Sequence, residues 1–342
     1  MKRLFARVAG ALLGVSLLLF LVTPSAPDLA GASARQPSPA VVAQAHAAFA
    51  KYMSAHAPAI SRGHWVSPAI NDPAASAARD GSVTSLPSIN WSGYADVESS
   101  SQTLSAVSGQ WTMPAVQCLP RPYQNQDAFL AQWVGLDGVT DSTVEQLGTA
   151  AQCFEGVTYY YVWYEMYPSG TVEEGTTACI DDNVNCPRPG DRISASVSVK
   201  PGTGGNNNYT LALHDYTRPD ESFSVSQECA ATTCADSSAE WVVERPAVLV
   251  SLGAQILPLA DYRNTSFTQA TETSGGKTAG IGGFDGGPIY DIPMSDDTGS
   301  YYLSCIGQSA PSGTLLSTTP NQCPTAVPGY NGRFSATWDS SF

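Results

Sequence analysis

Cations are scarce in this 342-residue chain: 16 Lys or Arg stand against 30 Asp or Glu, a formal net charge of −14. Neutralising a phosphate backbone needs clustered cations, so nucleic-acid binding is excluded. Histidine is scarcer still. His46, His56 and His64 lie near the N-terminus, and only His214 comes later, inside Tyr209-Thr-Leu-Ala-Leu-His-Asp-Tyr216. No Gly-x-Ser-x-Gly, His-Glu-x-x-His or Cys-x-x-Cys occurs. A Ser-His-Asp hydrolase would have to rest on His214 alone, a zinc peptidase lacks its paired histidines, and the cysteines lack a tetrahedral zinc set. A pepsin-like dyad needs two aspartates sharing a proton. The chain carries one Asp297-Thr298-Gly299 and no second copy, so that tripeptide reads as a turn. Neither metal nor organic cofactor is expected.

Turn formers and aromatics are plentiful. Gly and Pro number 30 and 24, the aromatics comprise 10 Phe, 7 Trp and 15 Tyr, and only 13% of residues are charged. That profile favours β structure. After residue 22 no apolar stretch is long enough to cross a bilayer. Lys2, Arg3 and Arg7, the apolar run from Val8 to Val22 and Ala32-Ser33-Ala34 together read as a secretory signal over 1–34. The run is shorter than the ~20 residues of a span, so the protein is expected to be secreted and free of the membrane once cleaved. Eight cysteines in an exported chain read as disulfides. Short separations point to Cys179–Cys186, Cys229–Cys234 and Cys305–Cys323, which leaves Cys118–Cys153. Asn90, Asn208 and Asn264 stand in Asn-x-Ser/Thr contexts that accept glycans.

Residues 35–85 differ in character from the rest of the chain. They are Ala-rich and cysteine-free, and Val42, Ala45, Phe49, Tyr52 and Met53 fall on one helical stripe within 41–57. This segment carries charge +2, with Arg35, Lys51, Arg62 and Arg79 against Asp72 and Asp80. Residues 86–342 hold nine Lys or Arg and 27 Asp or Glu, a charge of −18. A basic segment ahead of an acidic body reads as a short helical propeptide, 35–85, that inhibits a monomeric enzyme domain, 86–342. Release is expected when the body's carboxylates protonate, with a mature chain starting between Ser82 and Ile89.

From Ile89 onward the pattern is all-β. Residues 191–200 alternate strictly, Ile193, Ala195, Val197 and Val199 against serines. Similar runs occur at 104–113, 128–136, 144–154, 157–167, 207–217, 238–245, 267–273, 289–294, 300–306 and 333–339. Many strands without a periodic repeat predict an antiparallel β-sandwich.

Five segments carry chemistry: Asn90-Trp-Ser-Gly-Tyr94, Gln132-Trp-Val-Gly-Leu-Asp-Gly138, Val144-Glu-Gln-Leu-Gly148, Val162-Trp-Tyr-Glu-Met-Tyr-Pro168 and Ser238-Ala-Glu-Trp-Val-Val-Glu244. In order and spacing they resemble the glutamic peptidases, or eqolisins, over residues 89–342. The resemblance implies a concanavalin-like jelly roll, acid endopeptidase activity on polypeptide substrates and a Gln/Glu catalytic dyad. Residue by residue, the dyad falls on Gln146 and Glu244. Trp133 and Asp137 match the Trp-Val-Gly-Ile-Asp-Gly motif, whose tryptophan borders the substrate cleft. Glu165 matches the supporting glutamate of Trp-Tyr-Glu-Trp-Tyr-Pro. Three positions depart from the pattern: Leu147 stands for Thr, Met166 for Trp, and Arg245 for Asp.

The residue types suit the task. Glu244, with a reference pKa of about 4.3, can be an ionised base in mild acid and then an acid, while Gln146 offers an uncharged N–H to the oxyanion. Glu240 shares its strand face but lies ~13 Å away, too far to share a proton, and reads as structural. Tyr164 is expected in the cleft wall and Trp163 in the core. Two rivals remain: a jelly-roll glycosidase using Glu165 and Glu244, and a non-catalytic carbohydrate-binding sandwich with Trp133 and Tyr167 as platforms.

Overall fold

The computed structural model describes the chain from 83 to 295, with interruptions of which the longest are 119–127 and 175–186, together with 315–318, 332–338 and a few positions between 38 and 47. The first strands are β1 (Val83–Ser85), β2 (Trp91–Val97), β3 (Leu104–Thr112), β4 (Ala128–Leu136), β5 (Val144–Phe154), β6 (Val157–Tyr167) and β7 (Thr171–Glu174). Next come β8 (Arg192–Pro201), β9 (Asn207–Asp215), β10 (Phe223–Glu228), β11 (Ser238–Glu244), β12 (Ala247–Val250) and β13 (Gly253–Ile256). The last are β14 (Asn264–Ser274), β15 (Lys277–Gly280), β16 (Ile289–Ile292), β17 (Met294–Ser295), β18 (Leu315–Thr318) and β19 (Phe334–Trp338).

Two sheets form an antiparallel sandwich. The front sheet runs β1-β16-β2-β11-β4-β5-β6-β7 and the back sheet β10-β9-β8-β3-β14-β19-β18-β17, with β15 added to β14. β12 and β13 pair with each other. Apart from β1, which lies parallel to β16, the named strand pairs are antiparallel.

Alternation decides what lies between the sheets. In β8, Ile193, Ala195 and Val197 are buried while the intervening serines are half-buried, as a back-sheet strand with one solvated face requires. Front strands β2, β4 and β11 are buried at every position, because both of their faces are covered. One apolar cluster fills the inter-sheet space around Trp111, Val134, Leu147, Tyr164, Tyr209, Trp241 and Phe267. A second lies on the other face of the front sheet, around Trp91, Trp133, Tyr161 and Trp163. Buried indoles need acceptors. Trp111 Nε1 donates to Thr149 Oγ1 at 3.0 Å and Trp241 Nε1 to the Ser108 carbonyl at 2.8 Å, so both tie sheet to sheet.

The expected runs appear as strands whose ends agree to within three residues, except that 289–294 divides into β16 and β17 and 300–306 lies outside the described residues. Cys118–Cys153 and Cys229–Cys234 are bonded as the spacing indicates. Cys179, Cys186, Cys305 and Cys323 lie outside the described residues, as does Asp297-Thr298-Gly299. Of the helix expected over 41–57, Val41, Ala43, Gln44 and Ala47 are described and helical, and the rest lies outside. Among the described residues, no helix is long and apolar enough to cross a membrane.

Carboxyls are buried inside the sandwich. Asp96 of β2 meets Glu272 of β14, and the Gly282 N–H donates to Asp96 Oδ2 at 2.5 Å. Burial lifts Asp96 to about 6, and burial beside Asp96 lifts Glu272 to about 11, so the pair holds a proton between the sheets. A carboxyl whose folded pKa is raised contributes stability that is fully present below its unfolded value, near 4, and lost as pH rises through the folded value. For Asp96 that window runs from about 4 to about 6, and Glu272 extends the loss to higher pH. Thermal unfolding followed by circular dichroism should therefore give a Tm lower at pH 7.5 than at pH 4. A Tm that stays level or rises over that interval would contradict this assignment of protons.

Candidate active site

Pairing register builds the site on the front sheet's outer face. β5 lies between β4 and β6, so Gln146 sits opposite Gly135 on one side and Glu165 on the other. On β11, Glu244 sits opposite Ala131 of β4 and Trp91 of β2. Gln146, Glu165 and Glu244 each stand an even number of residues from Gly148, Trp163 and Val242, so the pleat sends all three to the face of Trp133.

Local contacts then fix each group. Gln146 Nε2 donates to Glu165 Oε2 at 2.8 Å, and Gln146 Oε1 is buried without a donor among the described residues. Trp133 Nε1 donates to Glu244 Oε2 at 2.8 Å, and Asn90 Nδ2 donates to Glu244 Oε1 at 3.1 Å. The amide is thus brought to Glu165 and the Glu244 carboxyl to Trp133 and Asn90, and the indole spans the two groups. Its row on the sheet, with Val242, Gly148 and Trp163, lies between the row of Gln146 and that of Glu244. A methyl on Gly135 would meet Trp133 Cζ3 at 3.0 Å and Gln146 Cβ at 3.1 Å, so the ring reaches toward the glutamine over a glycine. Trp91 packs edge-on against Trp133 at 5.0 Å between centroids.

Burial governs the electrostatics. Glu244 is 4% exposed. Loss of water pushes its carboxyl up to about 7, although hydrogen bonding from Trp133, Trp91 and Asn90 pulls the other way. This corrects the expectation of an ionised base in mild acid: the resting group carries its proton below about 7. Glu240, fully buried in the row of Gln146 with Gly135 between them, is held well above the ordinary carboxylate range by burial and by Asp137, Asp141 and Asp96.

Asp137 does a different job from the groups on that face. It lies past the end of β4 at φ 69° and accepts from the N–H groups of Asp236 and Ser237, each at 2.8 Å, and from Ser237 Oγ at 3.1 Å. These bonds fix the turn that leads into β11 and so the start of the strand that carries Glu244. Tyr164 corrects the sequence-based expectation. It faces the inter-sheet core, lies tilted against Phe223 at 6.2 Å between centroids and accepts from Gln227 Nε2 at 3.1 Å, while Trp163 takes the site face. Two residues of opposite parity cannot share a face, and Trp163 is the one whose parity matches Glu165. The same rule turns the departures Leu147 and Met166 away from the site face, since both point between the sheets. His214 is exposed on β9 of the back sheet, paired with Ser222 Oγ and Tyr216.

The sequence marks Asn90 as a glycan acceptor and as the head of the first of the five segments, without a role of its own. It is 1% exposed and bonded to Glu244, so the folded chain offers no room for a glycan there, whereas Asn208 and Asn264 are exposed. Its place at the head of a tryptophan-bearing strand was the available signal.

A model of the peptidase A4 family matches residues 89–310. The chain belongs to that family. It is a glutamic-type endopeptidase, a hydrolase of peptide bonds, and the glycosidase and carbohydrate-binding readings fall. Aspergillopepsin-2 of Aspergillus niger is 25% identical over 208 residues, covering 56% of this chain and 67% of that protein. Among solved structures, scytalido-glutamic peptidase with a transition state analog inhibitor aligns at a TM-score of 0.48 and 20% identity, covering 73% of this chain and 98% of that one. Aspergilloglutamic peptidase from Aspergillus niger aligns at 0.37 and 21% identity, covering 62% and 99%.

Two other features of the endopeptidase lie apart from this face. Glu145, Cys229 and Cys234 come within metal-ligand reach of one another among the described residues, but the two cysteines are joined in a disulfide. A surface pocket of about 330 Å³ lies on the back sheet, bordered by Gln110, Thr112, Arg192 and Tyr216.

Gly148, the register partner of Trp133, makes the seat of the indole possible. A methyl there would fall 2.1 Å from the Gln132 carbonyl oxygen and 2.7 Å from Trp133 Cβ, contacts that backbone movement alone can relieve. Gly148→Ala should cost ~1–3 kcal/mol and lower Tm by several degrees, with a parallel loss of activity; a variant as stable as the parent would show that the strands are not held this closely.

Proposed function

We propose that this endopeptidase is an exported monomer that cleaves polypeptides in acid, with Glu244 moving protons and Gln146 stabilising the oxyanion. The observation that carries the reading is a buried carboxyl, ringed by N–H donors and protonated below about 7, on the same sheet face as an amide whose Oε1 has no partner among the described residues.

The reaction balances without a cofactor. A water attacks the scissile carbonyl carbon. One oxygen of Glu244 gives its proton to the carbonyl oxygen while the other takes a proton from the water. Gln146 stands in the row of Glu240, four residues along the sheet and two strands across from Glu244, so its N–H reaches the charge that gathers on the intermediate from the opposite side of the Trp133 indole, and its Oε1 is open to the attacking water. On collapse the carboxyl protonates the leaving nitrogen and recovers a proton from a hydroxyl, so Glu244 ends as it began. Glu165 holds the amide by its Nε2, which fixes the direction of the remaining N–H.

Residues 1–34 serve as the export signal and 35–85 as a propeptide. Opposite charges, +2 on the segment and −18 on the body, support inhibition at neutral pH. Protonation of the body's carboxylates in acid weakens that attraction and starts self-processing.

Gln146→Ala should lower kcat by about 10²–10³-fold, the usual loss for one oxyanion donor, with Tm unchanged. The wild-type kcat/KM should fall as pH rises through about 7, where Glu244 loses its proton. Activity within a factor of two in Gln146→Ala would remove the amide from the mechanism. A kcat/KM that climbs from pH 5 to 8 would reverse the order of proton transfer.

A further inference from the structure

Strand register brings Glu244 to its face, but the aim of its oxygens is set by the residues just before β2. Ser88 forms a lone parallel bridge with Met294 and is 4% exposed. Its Oγ accepts the N–H of Asn90 at 3.2 Å and that of Trp91 at 3.0 Å, and it donates to Asn90 Oδ1 at 3.1 Å. A serine hydroxyl has one proton and two lone pairs. Both lone pairs are taken by backbone, so the proton goes to the asparagine and Oδ1 must be the accepting end. The NH2 end is then forced toward Glu244 Oε1, 3.1 Å away. The Asn90 carbonyl accepts the N–H of Arg245 at 3.0 Å, which ties the residue after the glutamate to the same point.

We infer that Ser88 and Asn90 are positioning residues of the reaction: the hydroxyl fixes the amide, and the amide, with Trp133, sets the rotation of the Glu244 carboxyl on the site face. This rests on the reading of Glu244 as the catalytic carboxyl. Both Asn90 and Trp133 are donors toward it, and a donor stabilises the ionised form. Trp133 from β4 and Trp91 and Asn90 from the β2 side, all uncharged, donate to Glu244. Its titration should therefore report the loss of one donor. Ser88 also belongs to the working enzyme, so the maturation cut falls on its N-terminal side, a narrower window than the 82 to 89 expected from the sequence.

The test is a titration of the Glu244 carboxyl by 13C NMR in the whole chain, its resonance identified by its absence in Glu244→Gln, with kcat and KM measured at pH 4. Removing one hydrogen bond to a charged group should raise the midpoint in Asn90→Ala by about one unit above the wild type and lower kcat about tenfold at little-changed KM. Ser88→Ala should move both in the same direction by less, and the hydroxyl-retaining Ser88→Thr should restore them. A packing role alone would lower Tm without moving the midpoint. Midpoints that match wild type in Asn90→Ala and Ser88→Ala would overturn the inference, as would an active matured enzyme whose N-terminus, by mass spectrometry, is Ile89 or later. Should Asn90→Ala fail to fold, the two Ser88 variants decide. Retained activity in Glu244→Gln would sink the reading of Glu244 while leaving the shift of its midpoint intact.

Discussion

The site depends on one carboxyl taken out of water and given uncharged N–H partners. Desolvation alone would drive Glu244 to hold its proton permanently, and a salt bridge would strip the proton away. Trp133 and Asn90 hold it between these limits, at about 7. A group so tuned gives and takes a proton at little cost, which peptide hydrolysis demands twice per turnover. The glycines at 135 and 148 let the indole lie where it meets Glu244, and Asp137 fixes the turn from which the glutamate's strand departs.

The same physics recurs through the sandwich. With 27 acidic residues and nine cations in the body, some carboxyls must be buried without a counter-charge, and protonation is what makes that tolerable. Asp96 with Glu272 is one such place, and Asp137, Asp141, Glu145 and Asp236 at the end of β4 and β5 are another, each carboxyl raised by burial. Acid is therefore the condition in which both the fold and the resting state of Glu244 are complete. That places stability and catalysis under one variable.

Much of the fold was legible because one-sided strands write their face into the sequence. β8 reads directly from its serines, and β4, β5 and β6 from their length and aromatics. β2 was harder, since Trp91-Ser-Gly-Tyr-Ala-Asp-Val97 is buried on both faces and carries a glycine where turns usually fall. Short β10 alternates as an edge strand should, yet its polar residues blended into the neighbouring turn. At the site, motif spacing led to Gln146, Glu165, Glu244 and Trp133, whereas strand parity alone suffices to turn Tyr164 away from the face of Glu165. The bond from Asn90 to Glu244 and the proton on Glu244 were out of reach. Each arises from partners distant in sequence, 154 residues apart for the Asn90 bond and 111 for the Trp133 bond, and from a degree of burial that no local pattern encodes.

The central claim is that the Glu244 carboxyl, and not merely its shape, performs the chemistry. Glu244→Gln keeps the size of the side chain but cannot cycle a proton, and its NH2 end cannot accept as the carboxyl oxygen does. Cleavage of a denatured protein at pH 4 by wild type and by Glu244→Gln, with thermal unfolding of both to establish an intact fold, tests this directly. The account predicts a folded variant with cleavage lost by several orders of magnitude. A folded Glu244→Gln that cleaves at the wild-type rate would contradict it.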